Sequence, residues 1–381
     1  MQDSSAQPAM APETKGFFNP TQAHWCDCRE VTGLLPSGVS RVMLFSGRSS
    51  RAMAETIAKG VEHLGNTIAP AISEDPTADS VQEVTEQVRE FSPDWIIAIG
   101  GGSVLDSVKA AAVLAKHEGR VTDYMRGDRK ITHAGIPVSV IPTTAGSGSE
   151  ITPFSSITDV EMKKKQSLAH EYLYPTHAVL DPSLTLSLPP RQTAISGMDA
   201  LSHSIEGYWS KHSSPVTDEY ALSAAKLILK SLASACNSGG EIGPRSRMLE
   251  GSYLAGRTIS NAMTTAAHAV SYPMTVHFGI PHGLACSMLL PAVVRYNAGS
   301  MDPAKEDRLL GHLGFSTMDR LAEAIEDLKD ETGLPNRLRD LDLGPEQVKV
   351  IVENGFRPDR MNNNPREITV SDLTELLTAL I

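Results

Sequence analysis

Two apolar runs that break off into small polar residues, one over residues 94–99 and one over 136–141, constrain the architecture of this 381-residue chain most tightly. The first, Asp-Trp-Ile-Ile-Ala-Ile, is short and non-alternating, as a strand buried on both faces is. It runs straight into Gly100-Gly101-Gly102-Ser103, and helical character follows over residues 104–116. Strand, glycine run and helix in succession make a phosphate-binding turn. The glycines let the backbone approach a pyrophosphate, and the helix start offers unpaired N–H groups and a positive dipole end. Ser103 followed by Asp106 also fits an N-cap arrangement. Gly-Gly-Gly-Ser is not the GxGxxG fingerprint, so the plain alternative is a tight turn between strand and helix.

The second run, Ile-Pro-Val-Ser-Val-Ile, leads into Pro142-Thr143-Thr144-Ala145-Gly146-Ser147-Gly148-Ser149-Glu150. Its hydroxyls and small residues suit diphosphate and ribose oxygens; the alternative is a solvated Ser/Gly loop. A third run over residues 41–46 ends in Gly47, with a helical pattern over about 51–64. Alternating strands and helices predict an open, mostly parallel sheet with ligands at the strand carboxyl ends. After the 41–46 strand come Gly47, Arg48, Ser49, Ser50 and Arg51, two cations and no carboxylate. An acid there favours NADH and an arginine accommodates the 2′-phosphate of NADPH. The expectation is therefore NADPH, held by Arg48, Ser49 or Arg51, against a surface turn that happens to be basic.

Past Leu188-Pro189-Pro190 the pattern becomes helical, over residues 192–209, 217–235, 244–267 and from 319 onward. Proline disfavours helix at and before itself, so the diproline marks a border. The reading is a flexible N-terminal segment over residues 1–15, an α/β dinucleotide-binding domain over 16–190 and an all-α helical domain over 191–381. Within the helical half, Asp199 and His203 stand four apart, which places both on one helix face. His268 is expected late in a helix, and His282 in a turn fixed by Pro281 and Gly283. Three imidazoles and a carboxylate suit Fe²⁺ or Zn²⁺ rather than the all-oxygen shells of Mg²⁺ or Ca²⁺. Any one histidine of the 12 would more often be a packed or surface residue. A net charge of −11 argues against nucleic acid, and no apolar run of membrane-spanning length occurs. Residues 1–15 lack the basic start and apolar stretch of a secretory signal. Cys26, Cys28, Cys236 and Cys286 form no CxxC, which points to free thiols in a reducing cytoplasm.

Four motifs in order carry a family resemblance: Gly-Gly-Gly-Ser-x-x-Asp at 100–106, Pro-Thr-Thr-Ala-Gly-Ser-Gly-Ser-Glu at 142–150, Gly-Met-Asp-Ala-Leu-Ser-His at 197–203 and Pro-His-Gly at 281–283. Together they make the chain, after about residue 16, similar to the iron-containing (group III) alcohol dehydrogenases. The resemblance implies an α/β N-terminal dinucleotide-binding domain with an open, mostly parallel sheet plus an all-α helical C-terminal domain. It implies one divalent ion on Asp199, His203, His268 and His282, nicotinamide-linked carbonyl/alcohol interconversion, and commonly a homodimer. By motif, Gly101, Gly102, Ser103, Thr143 and Thr144 hold the cofactor, with Lys165 as an addition.

The chain departs from that pattern at three places. Tyr272 stands where many members carry a further histidine four residues after the third ligand. A phenol can still donate a proton or orient substrate; otherwise it is a ring packed beside Pro273. Water, Tyr272 or His277 is the expected proton source. Ile259 replaces a frequent aromatic residue, and Arg257 a usually apolar one. An added cation invites an anionic substrate, unless Arg257 simply pairs with Glu250 or Glu206. Residues 264–273 with Gly-Ile-Pro-His-Gly look most like the branch that reduces phosphonoacetaldehyde to 2-hydroxyethylphosphonate. The rival substrates are neutral short aldehydes or diols such as lactaldehyde. A lyase of the dehydroquinate-synthase type and a non-catalytic nucleotide-binding protein are the rivals from other classes. The lyase calls for more cations than the helical half offers, and the last leaves the four ligands unexplained.

Overall fold

The computed structural model describes residues 16–381, in two compact units, and the flexible segment expected over residues 1–15 lies outside the described residues. The first unit comprises residues 16–143 and 149–181. Its elements are β1 (Gln22–His24), β2 (Arg41–Ser46), α1 (Arg51–Lys59), β3 (Gly65–Ile68), α2 (Ala78–Phe91), β4 (Trp95–Gly100), α3 (Gly102–Leu114), α4 (Val121–Met125), β5 (Val138–Pro142), β6 (Phe154–Asp159), β7 (Lys164–Ala169) and β8 (His177–Val179). Six strands form one all-parallel sheet in the order β1-β8-β5-β4-β2-β3. The apolar runs become strands for the reason the sequence suggests. All six residues of β4 are buried, and Phe45, Ile96, Ala98 and Val140 share a core with Val104, Leu105 and Val108 of α3.

From β2 the chain crosses one way to β3, and from β4 the other way to β5, so the strand order switches between β2 and β4. At such a switch the two loops diverge and leave a ligand crevice at the carboxyl ends. Register pairs Ser46 with Ile99, which brings Gly47 beside the Gly100–Gly102 turn, and Gly47 N–H donates to Ile99 O at 3.4 Å. Only glycine fits at position 100: a Cβ there would lie 2.6 Å from Cγ2 of Val104. The antiparallel β6–β7 hairpin has no counterpart in the sequence reading, because its residues are mostly polar and only half-buried.

The second unit takes residues 144–148 and 182–381. Its helices are α5 (Pro190–Trp209), α6 (Pro215–Asn237), α7 (Ile242–Ala262), α8 (Ala266–Phe278), α9 (His282–Tyr296), α10 (Pro303–Leu313), α11 (Met318–Glu331), α12 (Pro345–Gly355), α13 (Pro358–Met361) and α14 (Val370–Thr378). Pro189 is the N-cap of α5 and Pro190 its first residue, where a missing N–H costs nothing. Every residue of α5 from Thr193 to Trp209 is buried, packed by α6, α7 and α9. The sequence thus predicts the architecture correctly: an α/β unit with a parallel sheet and an all-helical unit. No helix among the described residues is long and apolar enough to cross a membrane.

One expectation is corrected here. His268 does not lie late in a helix continuing from residue 244. That helix ends at Ala262, Met263 takes a left-handed φ of 62°, and a new helix starts at Ala266. His268 therefore sits in a first turn, where backbone N–H groups need outside acceptors.

Candidate metal centre and dinucleotide-binding turn

Asp199, His203 and Glu206 project from α5 at positions i, i+4 and i+7, one helix face. Against that face α8 presents His268 and α9 presents His282. Gly283 permits the second approach, since a Cβ there would lie 2.3 Å from Ile195 O and 2.9 Å from Asp199 Cβ. The Pro-His-Gly motif thus has a steric reading: the glycine lets α9 close on α5 and carries His282 to Asp199.

Three imidazoles converge on one carboxylate oxygen. Nε2 of His203, His268 and His282 lie 3.9, 3.5 and 3.9 Å from Asp199 Oδ1. The His203 and His268 rings stack at 4.5 Å. The donor atoms of Asp199, His268, His282 and Cys286 all fall within 4.8 Å of one another. Cys286, four residues after His282 on α9, is a donor the sequence reading missed; its Sγ is 3.7 Å from His282 Nε2. Burial pushes its thiol up to about 11.

Hydrogen bonds fix the tautomers. Glu206 Oε2 accepts a short bond from His268 Nδ1, while Oε1 accepts from Thr265 N (3.0 Å), Thr265 Oγ1 (2.8 Å), Ala267 N (3.0 Å) and His268 N (3.4 Å). Glu206 therefore caps α8 and orients its histidine at once. Burial pushes the Glu206 carboxyl up, but His268 and Thr265 outweigh it and hold the group below its ordinary range. The Ser271 hydroxyl already donates to His268 O at 2.7 Å, so its oxygen is left to accept from His282 Nδ1 at 3.2 Å. In the neutral rings with Nδ1 protonated, the form a cation binds, the Nε2 atoms of His268 and His282 carry the lone pairs, and both lie within 4 Å of Asp199 Oδ1.

Lone pairs facing a carboxylate oxygen repel. Asp199 Oδ1 and His268 Nε2 are buried without hydrogen-bond partners, and each such orphan costs about 1–3 kcal/mol. A divalent cation among them turns the repulsion into coordination, and the carboxylate–histidine pairing behind His268 is the usual support of a metal-bound imidazole. The donor set fits Fe²⁺ or Zn²⁺.

Tyr272 is buried, its ring stacked on that of His282 at 5.7 Å and 11°. His277 is nine residues beyond His268, which at 100° per residue turns it to the opposite face of α8; the structure does not bring it to the cluster. Arg257, on α7, lies 4.7 Å over the Tyr220 ring and donates to Tyr253 Oη at 3.0 Å.

In the first unit, Gly101 is the N-cap of α3 and no side chain caps that helix, so its first amides are open to a phosphate. The expected Ser103–Asp106 capping is corrected. Ser103 Oγ accepts from Asp75 N at 3.2 Å, and Asp106 instead accepts from Ser149 Oγ (2.5 Å) and Ser156 N (2.9 Å), with Lys109 Nζ at 3.3 Å. Lys165 is buried and its Nζ lies 3.6 Å from Asp75 Oδ1, beside Ser103. Thr143 is half-buried, as is Thr144, which begins the 144–148 segment of the second unit; Thr143 N donates to Gly100 O at 3.0 Å, next to the glycine turn. Arg48 and Ser49 are exposed after β2, whereas Arg51 turns to Ala69 O (2.5 Å) and Glu55 (3.2 Å). Arg51 therefore serves the fold rather than a ligand.

A parallel sheet with an uncapped glycine turn at its switch point, and a buried Asp/His cluster shaped for a divalent cation, define a metal-dependent, nucleotide-linked enzyme. The family model for iron-containing alcohol dehydrogenase matches residues 27–182, and that for the C-terminal part of the Fe-containing alcohol dehydrogenase family matches residues 193–381. The NAD-dependent methanol dehydrogenase of Bacillus methanolicus is 33% identical over 337 residues, 86% of this chain and 88% of the relative. The sulfoacetaldehyde reductase of Bilophila wadsworthia is 34% identical over 317 residues, 80% of this chain and 81% of the relative. The crystal structure of sulfoacetaldehyde reductase from Bifidobacterium kashiwanohense in complex with NAD+ superposes with a TM-score of 0.89 at 31% identity, covering 96% of this chain and 98% of the other. The chain belongs to the iron-containing alcohol dehydrogenase family. It is an oxidoreductase that interconverts alcohols and aldehydes with NAD(P) and a divalent metal.

Proposed function

We propose that this enzyme reduces a small anionic aldehyde, phosphonoacetaldehyde foremost, to the corresponding alcohol, 2-hydroxyethylphosphonate. The observation that carries the reading is the likeness to two sulfoacetaldehyde reductases, one of them across nearly the whole chain. Sulfoacetaldehyde and phosphonoacetaldehyde share a two-carbon aldehyde ending in a tetrahedral oxyanion. The added cation Arg257 agrees with an anionic substrate. The methanol dehydrogenase likeness favours a second reading, a neutral short-chain alcohol or aldehyde.

Asp199, His203, His268 and His282 hold the divalent ion in this proposal, with Glu206 and Ser271 orienting two of the imidazoles. When bound, the ion supplies a Lewis acid for the carbonyl oxygen and the reduced nicotinamide supplies hydride. Tyr272, its ring stacked on His282, carries a phenolic proton and donates it to the product oxygen or to a water beside it. His277, turned from the cluster, is left as a relay only through water. Gly47, Gly101, Gly102, Ser103, Thr143, Thr144 and Lys165 bind the dinucleotide, and Arg48 with Ser49 binds a 2′-phosphate, which makes NADPH the preferred donor.

A substrate panel tests this. kcat/KM for phosphonoacetaldehyde or sulfoacetaldehyde is expected to exceed that for propionaldehyde and lactaldehyde by orders of magnitude, with net consumption of NADPH. Equal values refute the anionic reading, and turnover without net NADPH consumption would return the lyase. Arg48→Ala is expected to raise KM for NADPH much more than for NADH; equal effects refute the 2′-phosphate assignment.

A further inference from the structure

The cation that a two-carbon oxyanion needs must lie within a side chain's reach of the metal cluster. The stretch from the end of α12 through α13 carries two arginines. Gly355, the last residue of α12, packs on α8 so closely that a Cβ would meet Pro273 Cγ at 3.2 Å and Val270 Cα at 3.3 Å. Eight residues on, Asn363 is tied to the start of the same helix, its Nδ2 donating to Thr264 O at 3.2 Å. The chain between them passes along α8, against which α13 packs. Arg357 and Arg360 lie on that stretch.

The Arg357 guanidinium sits 5.3 Å over the Tyr272 ring, and Tyr272 stacks on His282. Arg357 is thus one ring away from a proposed metal ligand. Arg360 N donates to Arg357 O at 3.0 Å, which ties the two residues into the single turn of α13 and its N-cap. The Arg360 side chain is only 9% exposed, and its Nε has no hydrogen-bond partner. Asp359 lies 3.8 Å from that Nε, too far for a hydrogen bond. The same carboxylate already accepts from Nε and Nη2 of Arg357 at 3.2 and 3.1 Å. One acid against two guanidiniums leaves a positive charge, and a buried arginine with an open donor is costly unless an anion completes it. Asn363 O accepting from Lys211 N at 3.0 Å, and the paired Asn297 and Asn364 amides at 3.0 and 2.7 Å, hold the far end of the segment in place.

We propose that Arg357 and Arg360 form the subsite that grips the substrate's tetrahedral oxyanion, a phosphonate or a sulfonate. The inference rests on the anionic-aldehyde reading above and moves its cation from α7 to the α12–α13 segment. Guanidinium forks match such oxyanions in geometry and charge.

The test is the ratio of kcat/KM for phosphonoacetaldehyde, and separately for sulfoacetaldehyde, to that for propionaldehyde. It is measured on the metal-loaded wild type, Arg360→Ala, Arg360→Lys, Arg357→Ala and Arg257→Ala. Losing one charge-assisted contact is expected to lower the ratio about 10–100-fold in Arg360→Ala and Arg357→Ala, with part of it restored in Arg360→Lys. The larger fall identifies phosphonate or sulfonate as the better fit. Protection of the protein against heat by 2-hydroxyethylphosphonate is expected to vanish in Arg360→Ala. A variant that loses both substrates equally, ratio intact, shows a packing role and overturns the subsite. So does a ratio that collapses in Arg257→Ala but stands in Arg360→Ala, an outcome that leaves the anionic-aldehyde reading in force. A wild-type ratio near one defeats that reading and this inference with it.

Discussion

Replacing Glu206 with glutamine tests how the cluster is assembled without touching a donor atom. Glutamine keeps one carbonyl oxygen, which the four groups on Oε1 (Thr265 N, Thr265 Oγ1, Ala267 N and His268 N) will claim. Its NH₂ then faces His268 Nδ1–H, donor against donor. His268 escapes by moving its proton to Nε2, where it points at Asp199 Oδ1, 3.5 Å away. A lone pair meant for the cation becomes an N–H. Losing such an outer partner weakens metal binding about 10–100-fold, or roughly 1.4–2.8 kcal/mol. Competition against a coloured chelator reads the affinity directly, and the metal-dependent rise in Tm should shrink in parallel. A dissociation constant within twofold of the wild type, in a variant with unchanged circular dichroism, refutes the tautomer argument.

Gly283→Ala places a methyl 2.3 Å from Ile195 O, a backbone atom with no rotamer to escape into. It is expected to cost about 1–3 kcal/mol or more and to lower metal content with Tm; full metal content at wild-type Tm would contradict the steric role. In the first unit, burial pushes the Glu150 carboxyl from 4.5 up to about 7. The folded chain then keeps a proton that the unfolded chain releases, so this contribution is complete below pH 4.5 and is lost as pH rises to about 7. Glu150→Gln should therefore gain stability over the wild type between pH 5 and 8, on the order of 3 kcal/mol at the top; a difference in Tm that stays flat across that range rules it out.

The sheet was legible because β4 and β5 are unbroken apolar runs that only a doubly covered strand tolerates, and because glycine and threonine turns follow them. Helical spacing put Asp199 and His203 on one face, and both do stand on α5. What escaped was the packing between distant segments. Glu206, Ser271 and Cys286 stand three, three and four residues beyond His203, His268 and His282, a signal usable only once each helix's bounds are known. The break at Met263 was hidden because Ala-Met-Thr-Thr-Ala-Ala contains no proline or glycine. It exists because Glu206, sixty residues upstream in the core of α5, accepts the amides of the new helix. Arg357 and Arg360 carried no sequence signal, since their place along α8 depends on how α12 returns to the metal-bearing helices.

Metal content and NADPH-linked aldehyde reduction, measured together on wild type and His282→Ala prepared without oxygen, bear most directly on the central claim. Wild type is expected to carry one Fe²⁺ or Zn²⁺ per chain, and His282→Ala to lose the ion and turnover in step. Reduction that persists in a metal-free His282→Ala protein would contradict it.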